Sequence, residues 1–312
     1  MMKSYLPVTR FSYEKDSLRR LGDILKAYFR SRVIQGEKAK RSVDSELLTL
    51  LKDEFLQILL TNGLIRLTKK GYYWSFMPVF SDQLLLFCDF PEFESITTYV
   101  WLSTNFSGGS WNFSRSLPVK KGNLVLDLGS GTGLLALMAR LKGGTAFGVD
   151  INPRAIRLAY LNRDLNGLNS VEFQKRDWNS VEGEQYDLII SQPPFGFSLV
   201  GLGLAFDGGG TTGLHATKEI IQRFQPKDNQ ILGLFVHVLE NDSHSRFNRL
   251  IQEWIEDDLI NIDLHPQYSY PIEIWWKGLL RKQNIDSSHH IPPDFHAYSE
   301  VVSYFAYLSK EK

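Results

Sequence analysis

Cysteine is almost missing. Cys88 is the single one in 312 residues, so the chain can form neither an intrachain disulfide nor a cysteine-based zinc centre, and a reducing compartment is expected. Net charge is missing too: 35 Lys and Arg face 35 Asp and Glu. That balance argues against wholesale adhesion to nucleic acid or an anionic membrane, and leaves room for a local patch. Long apolar runs are also absent. Windows such as 230–239 fall far short of the ~20 residues a membrane span needs. The start, Met-Met-Lys-Ser-Tyr-Leu-Pro, has no apolar run before a cleavage-type stretch. A soluble cytoplasmic protein without membrane partners is the expectation. What remains is 43% hydrophobic and 22% charged, a composition that excludes disordered and collagenous classes. The length suggests about two domains.

The charges are not spread evenly. Residues 1–80 hold 15 Lys and Arg against 8 Asp and Glu, and the rest hold 20 against 27. Leu18, Leu21, Leu25, Tyr28 and Phe29 recur at helical spacing, with Arg19, Arg20 and Lys26 between them, which predicts an amphipathic helix. A second helix is predicted over 44–60. Asp44 or Ser45 would cap it, Thr61-Asn62-Gly63 would stop it, and Leu47, Leu48, Leu51, Phe55, Ile58 and Leu59 would form its buried face. Strand-like runs follow at 64–67, 72–76 and 84–89, separated by Lys69-Lys70-Gly71 and Ser81-Asp82. Helices followed by a small hairpin predict a winged-helix-like recognition module over residues 1–112. Such a shape serves nucleic-acid binding and plain substrate gripping alike, and a solvated helix face is the simplest account of the Lys and Arg excess.

Over 113–312 the rhythm is strand, helix, strand, helix. Apolar runs at 124–128, 144–149, 171–174, 186–191 and 231–238 alternate with helical stretches at 134–140, 153–166 and 246–255, the second opening on Pro153. This predicts an α/β fold, a parallel sheet with helices on both faces and ligands at the carboxyl ends of its strands. Asp127-Leu128-Gly129-Ser130-Gly131-Thr132-Gly133 lies between the first of these strands and its helix, where glycines let backbone approach a ligand. Nicotinamide, flavin and S-adenosylmethionine sites all use such a turn, and Gly131, Gly133 and Ala136 even keep the dinucleotide spacing. Asp150, ending the second strand, can accept hydrogen bonds from ribose in either kind of site. Two features break the tie, the first by favouring a cationic ligand. Asp127 at the strand tip would repel a pyrophosphate but could bind an ammonium group or orient the loop. Ser191-Gln192-Pro193-Pro194-Phe195, ending the fourth strand, is not needed by a dinucleotide fold.

From Val125 to Phe195 the chain resembles class I S-adenosylmethionine-dependent methyltransferases. Within them it is similar to the group that methylates planar nitrogens through an Asn/Asp/Ser-Pro-Pro-Tyr/Phe motif, including the glutamine methyltransferases of release factors and several ribosomal RNA methyltransferases. The resemblance implies a Rossmann-like, seven-stranded, mostly parallel sheet. It implies that the loop of Gly129, Ser130, Gly131 and Gly133 wraps the methionine part of the cofactor, that Asp150 binds the ribose, and that Asp177 binds the adenine amino group with Ile151 and Trp178 flanking the ring. A turn cap is the plainer role for Asp177, and core packing for Trp178.

Methyl transfer from a sulfonium is an in-line displacement, so the acceptor must be held about 3 Å from the methyl carbon with water excluded. The lone pair of an amide or ring amino nitrogen is delocalised into its plane. The side-chain oxygen of Gln192 and the carbonyl of Pro193 could take its two N–H hydrogens and stabilise the developing positive charge. The two prolines fix that backbone, and Phe195 would stack on the flat acceptor for about 1–3 kcal/mol. Gln192 departs from the usual Asn, Asp or Ser, and its extra methylene shifts the acceptor oxygen by about 1 Å, a displacement that can cost roughly 100-fold in rate. That departure opens the reading of a larger or differently placed target amine, and the acceptor is read as a planar amide or amino group of a protein or small molecule. The alternatives are an RNA or DNA base, with nucleic acid held by the basic N-terminal part, a hydroxyl nucleophile, and a regulatory protein that binds the cofactor with weak turnover. Further on, Asp207-Gly208-Gly209-Gly210-Thr211-Thr212-Gly213-Leu214 resembles an Asp-Gly-Gly-x-x-Gly-Leu stretch of the glutamine methyltransferases. It reads equally as a gate or as a turn before a helix capped by Thr211 or Thr212. His289, His290, Asp294 and His296 lack metal-ligand spacing, so no metal is expected. Trp275 and Trp276 are read as core rather than pocket lining.

Overall fold

The computed structural model describes residues 12–33, 42–90, 100, 109–195, 212–241, 246–282 and 296–310. The predicted amphipathic helix is α1 (Lys15–Val33), with Leu18, Leu21 and Leu25 fully buried. It lies so close to a later helix that a Cβ on Gly22 would sit 1.9 Å from the carbonyl oxygen of Leu165. The second helix predicted over 44–60 is two. α2 (Ser45–Leu50) is capped by the Asp44 carboxylate on the Glu46 N–H, and α3 (Asp53–Thr61) ends at Asn62. The break falls where Leu51 turns extended (φ −81°, ψ 124°) and its side chain stays buried, while Asp53 and Glu54 supply the negative first turn that suits a new helix start.

Two antiparallel hairpins follow, β1 (Ile65–Thr68) with β2 (Gly71–Trp74), and β3 (Met77–Ser81) with β4 (Leu84–Cys88). β3 was not anticipated. It is apolar from Met77 to Phe80, and Pro78 sits opposite Phe87 in the register. The second hairpin turns at Asp82 and Gln83, both with positive φ, as a tight two-residue turn requires. Ser42 makes an antiparallel bridge to Tyr73.

Next come α4 (Gly109–Ser116), β5 (Leu124–Leu128), α5 (Leu134–Leu141), β6 (Thr145–Asp150), α6 (Pro153–Leu165), β7 (Glu172–Lys175), a 3-10 turn over Trp178–Ser180 and β8 (Leu188–Ser191). The described elements close with α7 (His215–Arg223), β9 (Ile231–Glu240), α8 (Arg246–Trp254), β10 (Asn261–Pro271), α9 (Ile272–Lys282) and β11 (Glu300–Ser309). Seven of the strands form one sheet in the order β10-β11-β9-β8-β5-β6-β7. The five from β9 to β7 are parallel, and β11 and β10 are antiparallel to their neighbours. The fold is thus Rossmann-like α/β, as expected.

Side chains alternate across the sheet. Val125, Ile190, Phe235 and Phe305 pack with α1, α4, α5 and α6, and with β3 and β4. Leu126, Leu128, Leu234 and Val236 pack with α7 and α8 on the other face. The first core is continuous from Leu18 to Phe305. Two asparagines one turn apart, Asn162 on α6 and Asn166 at its C-cap, clamp β4 to it. Asn162 accepts from Phe87 N (2.7 Å) and donates to Phe87 O (3.1 Å), and Asn166 does the same for Leu85 (3.0 and 2.7 Å). The chain runs outward from β5 through β6 to β7 and returns to β8 on the other side of β5. The crevice between β5 and β8 is where such sheets bind ligands.

Candidate active site

Two loops leave that crevice side by side. In the parallel register Leu128 stands beside Ser191, so the glycine loop after β5 and the Gln192–Phe195 segment after β8 start from neighbouring strand ends. Ser191 Oγ donates to Leu128 O at 2.8 Å, buried, and ties the two ends together.

Gly129, Gly131 and Gly133 all have positive φ, the region side chains avoid. At Gly129 a Cβ would meet nothing within 4 Å, so this turn faces open space; at Gly133 it would lie 2.9 Å from the Phe173 ring. One glycine leaves room and the other lets helix and strand pack. Ser130 is buried and its hydroxyl donates to the carbonyls of Asp127 and Val149 at 3.1 Å each. Asp150 accepts from the N–H of Gly131 (2.9 Å) and of Asn152 (2.8 Å). It therefore sets the loop's shape besides ending β6. Burial still raises its pKa against those two bonds.

Asp127 is fully enclosed. Its Oδ2 accepts from Ala136 N at 3.2 Å, and its Oδ1 has no partner. Burial, with the nearby Asp150 adding to it, pushes its carboxyl up to about 7. A buried carboxylate with an idle oxygen at the strand tip is a receptor for a cation. Ile151 is 62% exposed beside Asp150, an apolar surface that a flat ligand would cover. Asp177 caps the 3-10 turn by accepting from Asn179 N at 2.9 Å. Trp178 packs against the α7/α8 side of the sheet, with its indole N–H buried and unpartnered. These features fit an adenosyl sulfonium that carries an ammonium group.

On the other strand end Pro193 is buried, and Gln192 and Phe195 are half-buried. Gln192 Oε1 accepts from Ser110 Oγ at 2.6 Å, so the first residue of the motif is held by the start of α4, itself fixed where Phe113 packs on Phe235 and Phe305. Phe195 lies edge-on to His237, ring centroids 4.2 Å apart. Ser110 and His237 were not found from the sequence. Ser110 is 82 residues from its partner, and neither residue belongs to a motif. Of the downstream glycine stretch, 207–211 lie outside the described residues. The N-cap of α7 is Leu214, with no side-chain cap bond, which corrects the cap expected of Thr212. His289, His290 and Asp294 also lie outside, and among the described residues no group of His, Cys, Asp and Glu could hold a metal. Trp276 is buried and Trp275 half-buried.

A sheet of this order is Rossmann-like, and it carries a glycine loop on β5 beside a proline-proline segment on β8. Residues 99–200 match the family model of the methyltransferase small domain. Relatives described as glutamine methyltransferases are among those the chain is similar to. A release factor glutamine methyltransferase of Rhodospirillum rubrum is 42% identical over 77 residues, 24% of each chain. A chain of Methanocaldococcus jannaschii described as a protein N5-glutamine methyltransferase is 36% identical over 117 residues, 35% of this chain and 56% of that one. A ribosomal protein L11 methyltransferase of Dictyoglomus turgidum is 40% identical over 74 residues, 23% of this chain and 24% of that one. The chain thus spans from about a quarter to just over half the length of these relatives. The cofactor of the class is S-adenosylmethionine.

Proposed function

We propose that the chain is a cytoplasmic S-adenosylmethionine-dependent methyltransferase that methylates a planar amide or amino nitrogen of a protein or small molecule, with residues 1–112 as a winged-helix-like recognition module. The observation that carries this reading is the neighbouring exit of the glycine loop and the Gln192–Phe195 segment from β5 and β8. The names of the relatives support a protein acceptor.

The bound cofactor would supply a methyl group on a positively charged sulfur. Gly129, Ser130, Gly131 and Gly133 would line its amino-acid part, and the idle oxygen of Asp127 would face the ammonium group. Asp150 would hold the ribose through lone pairs its two backbone bonds leave over. Ile151 and Trp178 would border the adenine, with Asp177 at its amino edge. On the acceptor side an amide oxygen has two lone pairs. Gln192 gives one to Ser110 and would offer the other, together with the Pro193 carbonyl, to the two hydrogens of the acceptor nitrogen. Phe195 would carry the flat group. Calorimetry with S-adenosylhomocysteine should show one site, and Asp150→Ala should abolish it. Tritium-labelled cofactor mixed with cell extract should label a fraction destroyed by protease, and an intact chain that binds no cofactor product would end this reading.

The excess of 15 basic over 8 acidic residues in 1–80 favours a second reading, an RNA or DNA base as acceptor. Label in a ribonuclease-sensitive fraction, with affinity falling steeply as salt is added, would decide for it.

A further inference from the structure

β9 is longer than β8. Its register with β8 ends at Leu234 beside Ser191, so His237 stands beyond the end of β8, level with the segment that carries the acceptor motif. It shares a face with Phe235, the face on which α4 packs. Two further residues stand in register with it across the sheet, Ser303 on β11 and Tyr268 on β10. His237 Nδ1 and Ser303 Oγ share a hydrogen bond of 2.6 Å. Tyr268 pairs with Ser303 in the β10–β11 register, and its ring centroid lies 6.2 Å from that of the imidazole. Ser303 is 1% exposed, so its hydrogen bond to the imidazole is shielded from competing water. The imidazole lies edge-on to Phe195 at 4.2 Å and to Phe235 at 5.0 Å, at 62° to each.

We infer that His237 is a positioning residue for methyl transfer: Ser303 fixes the imidazole, and the imidazole fixes the tilt of the Phe195 ring on which the planar acceptor lies. This rests on the methyltransferase reading given above. The physical ground is the sensitivity of an in-line displacement to small errors of placement. Phe195 ends a segment whose backbone is stiffened by two prolines, but a phenyl ring has a free torsion that backbone stiffness does not control. An edge-to-face contact selects one ring orientation. The hydrogen bond to a buried hydroxyl keeps the contacting imidazole from turning away. Gln192 is held by Ser110 and Phe195 by His237, so the two faces of the acceptor slot are each set by a residue from another element.

The test places 4-fluorophenylalanine at position 195 and reads its fluorine resonance in the full-length chain, alongside the rate of label transfer from tritiated S-adenosylmethionine into cell extract. His237→Ala should move and broaden the resonance and slow label transfer by about 10-fold, with affinity for S-adenosylhomocysteine within about twofold of the parent. Ser303→Ala keeps both rings and should broaden the resonance. His237→Phe restores an aromatic edge and should recover most of the rate. A His237→Ala resonance that coincides with the parent's overturns the inference. So does a loss of rate that His237→Phe fails to recover, or one matched by an equal loss of cofactor affinity. A parent chain that transfers no label removes the methyltransferase reading and this role with it, while the resonance still reports whether His237 sets the ring.

Discussion

Asp127 is buried at a cost in stability rather than for a gain. Its carboxyl is raised to about 7, against an ordinary value near 4. The folded chain therefore keeps a proton that the unfolded chain releases across the window from about pH 4 to pH 7, and stability without ligand falls as pH rises through it. Asp127→Asn lacks this titration. The melting temperature of the variant minus that of the parent should grow more positive between pH 5 and pH 8, and a difference constant with pH would refute the assignment. Asp150 is shifted the same way and is present in both chains, so its effect cancels. The same variant should bind S-adenosylhomocysteine at least 10-fold more weakly, since the idle oxygen is lost. Asp127, Asp150 and the glycines were legible in the sequence because strand ends and glycine turns leave a local pattern. Ser110 and His237 were not, because their partners are set by the sheet register and not by spacing along the chain.

Among the elements, the sheet was legible and the N-terminal helices only partly so. Apolar runs such as 124–128 and 231–238 stand out because parallel strands are buried on both faces. The split between α2 and α3 leaves no comparable mark, since Leu47, Leu51 and Phe55 keep helical spacing across it. Nor does the sequence announce the clamp on β4, because asparagine inside a helix reads as an indifferent former. Asn162→Ala would strip Phe87 of partners for its N–H and C=O, and would also free the Thr132 carbonyl, to which Asn162 donates at 2.9 Å. Each buried group left unpaired costs about 1–3 kcal/mol, so with three groups affected urea titration should show a loss of at least about 3 kcal/mol with an unchanged slope. Gly22→Ala should also destabilise, because α1 cannot keep its present distance from Leu165.

For the whole molecule, the division at residue 112 meets a core that does not divide. α4 (Gly109–Ser116) straddles it, and one apolar cluster joins α1 to β11. Calorimetry should therefore show a single unfolding transition for the full chain; two separable transitions would count against this. The sharpest link between the halves is ionic. Asp89, just after β4 and fully buried, pairs with Arg154 in the first turn of α6 and accepts from Val100 N at 2.8 Å. Arg154 follows Asp150, the residue proposed to hold the ribose, by four positions. Asp89→Ala leaves a buried guanidinium without its carboxylate, an effect of about 3–5 kcal/mol, and should weaken cofactor binding together with stability. The clamp on β4 acts between molecules as well. The outward backbone groups of Leu85 and Phe87 would otherwise form a free sheet edge, the surface on which a strand from a second chain adds itself. With the amides of Asn162 and Asn166 seated there, that edge has no vacancy for a foreign strand, and one pair of polar side chains guards the protein against aggregating through its most apolar hairpin.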